Sequence, residues 1–268
     1  MIGKTKAMFF IWIILYGLVY TVSQKLSQLV PIPYMIPALS MFLYTIALLF
    51  FLYKKKYLKR YKDRFFESKK MSQCFIYGPL FLLPIVDIAV FVRQLLSSGG
   101  IDNQSISHVI CANSNVIFGE CLLILSCSVV EELFFRAFLL VIFIDRFRLR
   151  VINSIVLSSF LFALVHAANI FSGMTFRYVL IQCICAGTVG FGFSVVVCCE
   201  HNIIACILAH AFINLTSQCI HSLHTALYSA EHFCYSYRQM VAFSVVSAIY
   251  LVYGIVLWQK NKGQRGKL

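Results

Sequence analysis

Two carboxylates and a guanidinium, those of Glu131, Glu132 and Arg136, fall within the six residues Glu131-Glu132-Leu133-Phe134-Phe135-Arg136 of an otherwise apolar stretch. An ionisable group at bilayer depth costs roughly 2.5 to 3.5 kcal/mol on insertion scales, so three so close together read as a functional site. On a helix Glu132 and Arg136 are four residues apart and can pair along one face, while Glu131 lies about 100 degrees away around the axis. The pair offsets much of the burial cost of Glu132 and leaves Glu131 available for chemistry or for a metal.

Two later helices carry complementary groups. Phe162 stands four residues before His166, where its ring can pack on the imidazole, and His210 and Asn214 are again four apart, a donor pair on one face. Such a pair can hold a developing oxyanion or complete a metal site. Glu120, eleven residues before Glu131, is a secondary candidate expected to look toward the same face. Taken singly, an acid with an arginine can serve packing, and a buried histidine more often closes a core hydrogen bond than catalyses. Taken together, a base, an electrostatic partner, two imidazoles and an amide are the parts that hydrolysis needs. Glu131, His166 and His210 are also ligand types for a divalent metal such as zinc, with a position left for water; activation of water with and without a metal both stay open.

The elements that must position these groups are membrane helices. The 268 residues are 60% hydrophobic and 12% charged, with mean hydropathy +0.84, well above soluble composition. Apolar runs of about 20 residues recur, and eight spans are expected: about 7–22, 32–53, 74–92, 116–144, 151–170, 178–199, 203–215 and 240–258. The fold class expected is all-α, a polytopic helical bundle of about eight transmembrane helices. Its division is an amino-terminal part over 1–115, a core over 116–217, and a last loop, helix and basic tail over 218–268. The first run lacks a small-residue cleavage site and reads as an uncleaved span. The fourth, about 43 Å long at 1.5 Å per residue, must tilt, break or protrude from a core of about 30 Å.

The formal charge of +13 is a matter of topology rather than of nucleic-acid binding. Eighteen of the 23 Lys and Arg residues fall on one side of the expected arrangement, nine of them between Lys54 and Lys70. Only Lys25, Arg93, Arg177 and Arg238 fall on the other, and Arg136 is buried. Both termini are therefore expected to be cytoplasmic, with the basic loop beside anionic headgroups. Most of the eleven cysteines lie in apolar runs as small hydrophobes, leaving Cys111, Cys219 and Cys234 in loop-like sequence. The stretch from Cys219 to Cys234 holds His221, His224 and His232 without established ligand spacing, and reads as an outer loop that could carry a Cys219–Cys234 disulfide. Asp87 reads as a packed polar residue.

Three short motifs carry a resemblance. Glu131-Glu132-x-x-x-Arg136, Phe162-x-x-x-His166 and His210-x-x-x-Asn214 resemble, in order, the motifs of the CPBP family of intramembrane proteases, the CAAX prenyl protease 2 and Abi group. The similarity covers roughly residues 116 to 217, and Ala137 departs from the glycine common after the arginine. The resemblance implies a membrane peptidase acting on a hydrophobic or prenylated peptide or protein. In it Glu131 and His166 activate water, His210 and Asn214 hold the oxyanion, and Arg136 with Glu132 orders the site. The expected location is a bacterial plasma membrane. The alternative from another class is a non-enzymatic membrane protein of the same fold, a bacteriocin-immunity factor or partner-binding scaffold. A transporter fares worse, since the chain shows no clear internal repeat or Gly/Pro-broken helix pair.

Overall fold

A bilayer interior offers no water to backbone N–H and C=O groups, so a chain this apolar must satisfy them within its own segments. The computed structural model describes residues 11–12, 14–19, 22, 34–54, 77–97, 114–172, 174–228 and 237–261, and among them the chain is helical with no strand. Helical residues 14–19 represent the first expected span. The helices that follow are α1 (Met35–Lys54), α2 (Leu82–Ser97, entered through a 3₁₀ turn at Gly78–Phe81) and α3 (Ser114–Glu132). A π-helical segment, Leu133–Leu139, links α3 to α4 (Leu140–Asp145). Then come α5 (Val151–His166, with a 3₁₀ extension Ala167–Ser172), α6 (Phe176–Glu200), α7 (Ile203–Tyr228) and α8 (Tyr237–Lys260). Pro79, Pro37 and Pro84 all sit in first turns, where a missing N–H is harmless.

Among the described residues five helical stretches are long and apolar enough to cross a membrane: Met35–Lys54, Val151–Phe171, Phe176–Glu200, Ile203–His221 and Met240–Lys260. The protein is an integral membrane protein. The third expected span is described only as the 3₁₀ turn and the 16 residues of α2. The basic stretch beyond Lys54, Cys111, His232 and Cys234 lie outside the described residues. α1 shows how one helix serves two solvents. Leu39, Phe42, Leu43, Ile46 and Phe50 are exposed along one stripe, while Met41, Tyr44, Leu48 and Leu52 are buried against the bundle.

Helix α6 is the centre of the packing, with α5 on one flank and α8 on another, while α7 lies against α3 and α2, and α1 covers α3. Glycine permits the close approaches, as is usual between membrane helices. A Cβ on Gly187 would lie 3.3 Å from the Ala163 methyl of α5, and one on Gly254 of α8 would lie 2.7 Å from the Phe191 ring of α6.

The α6–α7 connection takes two residues. His201 ends α6 in the left-handed region (φ 55°), and the Asn202 side-chain oxygen accepts from the Ala205 N–H at 2.9 Å, capping α7. Helix α7 corrects the sequence reading at its far end. It runs on to Tyr228, so Cys219 and His221 are helical rather than in a loop, and Cys219 is an exposed free thiol rather than half of a disulfide. The polar run Thr216-Ser217-Gln218 does not end the helix, because Thr216 returns its hydroxyl to the Phe212 carbonyl at 2.7 Å.

The tight α6–α8 contact makes a prediction. Gly254→Val drives a side chain into Phe191 and should lower stability in detergent by about 1–3 kcal/mol, as overpacking does. Gly17→Ala, where no atom lies within 4 Å, should leave the unfolding midpoint unchanged or slightly raised.

Candidate active site

The acidic motif sits where the helix changes pitch. From Leu133 to Leu139 the backbone is π-helical: the Leu140 N–H bonds back to the Phe135 carbonyl, five residues away. That carbonyl also accepts from the Ser158 hydroxyl of α5 at 2.9 Å, which ties the widened turn to its neighbour. Local π geometry inside an α-helix is frequent at functional sites. At this junction Arg136 Nη1 lies 3.0 Å from Glu132 Oε1, four residues earlier, with both side chains fully buried.

Beyond that ion pair the guanidinium is met by aromatic faces, with its carbon 4.4 Å from the Phe162 ring centre, 5.7 Å from Phe193 and 5.9 Å from Phe135. Gly190 of α6 makes the space: a Cβ there would lie 3.2 Å from Arg136 Nη2 and 3.1 Å from the Phe162 ring.

His210 of α7 bridges the two acids. Its Nδ1 lies 2.8 Å from Glu132 Oε1, and its Nε2 lies 3.6 Å from Glu131 Oε2. Glu132 thus holds Arg136 and His210 with one oxygen. Glu131, 16% exposed, keeps one oxygen on His210 and accepts at the other from the Tyr16 phenol at 2.9 Å. Asn214, one turn beyond His210, donates to the Ser128 hydroxyl at 3.3 Å, and Ser128 in turn donates to the Ile124 carbonyl at 2.9 Å.

His166 closes the group from α5. Its Nδ1 lies 2.8 Å from the Phe162 carbonyl. A carbonyl only accepts, so Nδ1 carries the proton and Nε2 presents its lone pair. The Phe162 ring meets His166 edge-on at 4.9 Å and His210 at 5.6 Å with the planes perpendicular. His166 lies within electrostatic range of Glu131, His210 and Arg136. His166, His210 and Asn214 line one part-open cavity of about 120 Å³, along with Gln182, whose amide oxygen accepts from Asn169 at 2.8 Å. The other walls are largely apolar, Leu83, Ile181, Val189, Ile213 and Phe243 among them, and no Lys, Arg, Asp or Glu among the described residues lines it.

Each residue singled out in the sequence can now be placed. Glu131, Glu132, Arg136 and His210 are in direct contact, His166 joins them through Phe162, and Asn214 shares the cavity. Glu120 stands apart, hydrogen-bonded with Tyr34. Asp87 is buried. Among the described residues no three His, Cys, Asp or Glu side chains gather at metal-binding spacing. Tyr16, Ser128, Ser158 and Gly190 were missed in the sequence. Ser128 alone had a signal, its spacing of four from Glu132; the other three touch the site only through tertiary packing.

Residues 113–216 match the model of a family described as type II CAAX prenyl endopeptidase Rce1-like. No curated protein matches the chain, and no solved structure does.

The burial of the pair sets its energetics. Removing one member of a buried ion pair strands the other, so Arg136→Met should destabilise the protein by about 3–5 kcal/mol in detergent unfolding. Adding Glu132→Gln to Arg136→Met should recover part of that loss, because no uncompensated charge then remains.

Proposed function

We propose that this membrane protein, whose residues 113–216 are similar to a family described as type II CAAX prenyl endopeptidase Rce1-like, is an intramembrane endopeptidase that hydrolyses a peptide bond in a hydrophobic or lipid-linked peptide. The observation that carries the reading is the meeting of Glu131, on the motif helix, with His210 of α7 at 3.6 Å, beside the cavity that His166 also lines.

The chemistry follows from which atoms are engaged. Water held between Glu131 and the free Nε2 of His166 loses a proton to the carboxylate as its oxygen attacks the substrate carbonyl carbon. His210 is held at Nδ1 by Glu132 and turns its Nε2 edge toward Glu131. The Nε2 edge of His210 and the second Nδ2–H of Asn214 face the oxygen on which negative charge develops. As the tetrahedral intermediate collapses, the C–N bond breaks and the proton on Glu131 passes to the leaving amine. Glu132 and Arg136 do not touch substrate; they hold His210 in place through its Nδ1.

The cavity supports the substrate class. Its apolar walls suit aliphatic or lipid-bearing segments, and its uncharged polar groups suit a peptide backbone. A quenched fluorescent prenylated CAAX peptide in detergent is the direct assay. Glu131→Gln and His166→Ala should each lower kcat by at least about a hundredfold in folded protein, as loss of an acid-base group does. Wild-type rates from the Glu131→Gln protein would remove the mechanism and favour a non-enzymatic scaffold of the same fold.

Metal dependence is a separate test. With no three-ligand cluster among the described residues, protein shown by elemental analysis to be free of zinc should keep its cleavage rate. Loss of cleavage on chelation, with recovery on adding Zn²⁺, would instead assign the water to a metal.

A further inference from the structure

Glu131 takes its hydrogen bond from far outside the family-matched segment. Tyr16 and Glu131 are 115 residues apart, and the phenol donates to Oε1 at 2.9 Å. The phenol is held in turn by rings on two other elements. Tyr16 is stacked on Phe134 of the π segment at 6.4 Å and meets Tyr44 of α1 edge-on at 5.8 Å. Trp12, one turn earlier, packs edge-on against Tyr44 at 5.4 Å and Phe138 at 6.5 Å, and its carbonyl accepts from the Tyr44 hydroxyl at 3.0 Å. The amino-terminal helical residues are therefore fixed to both α1 and the π segment.

A glutamate carboxylate rotates freely about its last torsion, and either oxygen can face a given partner. With Tyr16 on Oε1, the oxygen that faces His210 is Oε2. We propose that Tyr16 is a positioning residue for Glu131. Its O–H, bound to one oxygen, holds the plane of the carboxylate so that the other oxygen, on the His210 side, is presented to the water, and the amino-terminal helix completes a site which residues 113–216 do not complete alone. The inference rests on Glu131 as the water-activating acid.

Tyr16→Phe removes the O–H and keeps the ring. With the prenylated CAAX peptide, kcat should fall about ten- to a hundredfold while KM stays within about twofold, the pattern of a group that acts on the chemical step. The thermal midpoint should hold. Tyr44→Phe, which loses its bond to the Trp12 carbonyl in the same aromatic cluster, should lower the midpoint and leave kcat of the folded protein intact. A kcat within twofold of wild type in Tyr16→Phe, or equal losses in the two variants, overturns the inference. Glu131→Gln measured alongside separates the two readings: if it abolishes cleavage while Tyr16→Phe does not, only the positioning role falls.

A second readout needs no turnover. In infrared difference spectra of protein labelled with ¹³C-carboxyl glutamate, the carboxylate band missing in Glu131→Gln should shift in Tyr16→Phe and stay in place in Tyr44→Phe. An unshifted band in Tyr16→Phe means that no such hydrogen bond exists and overturns the proposal by itself.

Discussion

A full positive charge with no exposed surface must be neutralised within a few ångströms, and the neighbourhood of Arg136 is arranged around that requirement. Glu132 supplies the countercharge, three aromatic faces supply polarisable surface, and Gly190 supplies volume. Glu132 and Phe135 come from the arginine's own helix, and Phe162, Phe193 and Gly190 from the two helices packed beside it. The same Glu132 oxygen that meets the arginine also holds His210, so the neutralising pair and the orientation of an imidazole are one structure. Loss of either member would therefore disturb packing and chemistry together.

The π segment explains how a helix can carry three ionisable groups and remain continuous. A regular α-helix would leave the Phe135 carbonyl with the Leu139 N–H; here it receives the Leu140 N–H and a hydroxyl from α5. Ser158 therefore anchors the one irregular turn to a neighbouring helix. Phe162, one turn further along α5, is the shared wall. It lies under the guanidinium, beside both imidazoles, and gives its own carbonyl to His166.

The helical membrane class was legible from composition and from the recurrence of apolar runs, because both follow from the solvent. The three motifs were legible because ionisable and amide side chains stand out in apolar helices and, taken together, are the parts that hydrolysis needs. The pitch change at Leu133 was not legible: no proline or glycine marks it, and the carbonyl it frees, that of Phe135, is met by Ser158, 23 residues further on. Tyr16 could not be found either, since one tyrosine among fourteen acquires meaning only when the amino-terminal helix lands against Phe134. The far end of α7 misled for a local reason. Thr216, Ser217 and Gln218 look like an exit from the membrane, yet a threonine that bonds its own helix backbone is compatible with continuing inward.

The docking of α5 on α6 has a further consequence. Gly187 meets Ala163 and Gly190 meets Phe162, so two consecutive residues of one helix rest on two glycines one turn apart on the other. His166 cannot swing independently, because its ring is bonded to its own helix at Phe162. The lateral position of that imidazole relative to Glu131 is then fixed by how closely two backbones touch. It is a mechanical setting of the bundle, made by the absence of two methyl groups, one of which would also press on the Arg136 guanidinium.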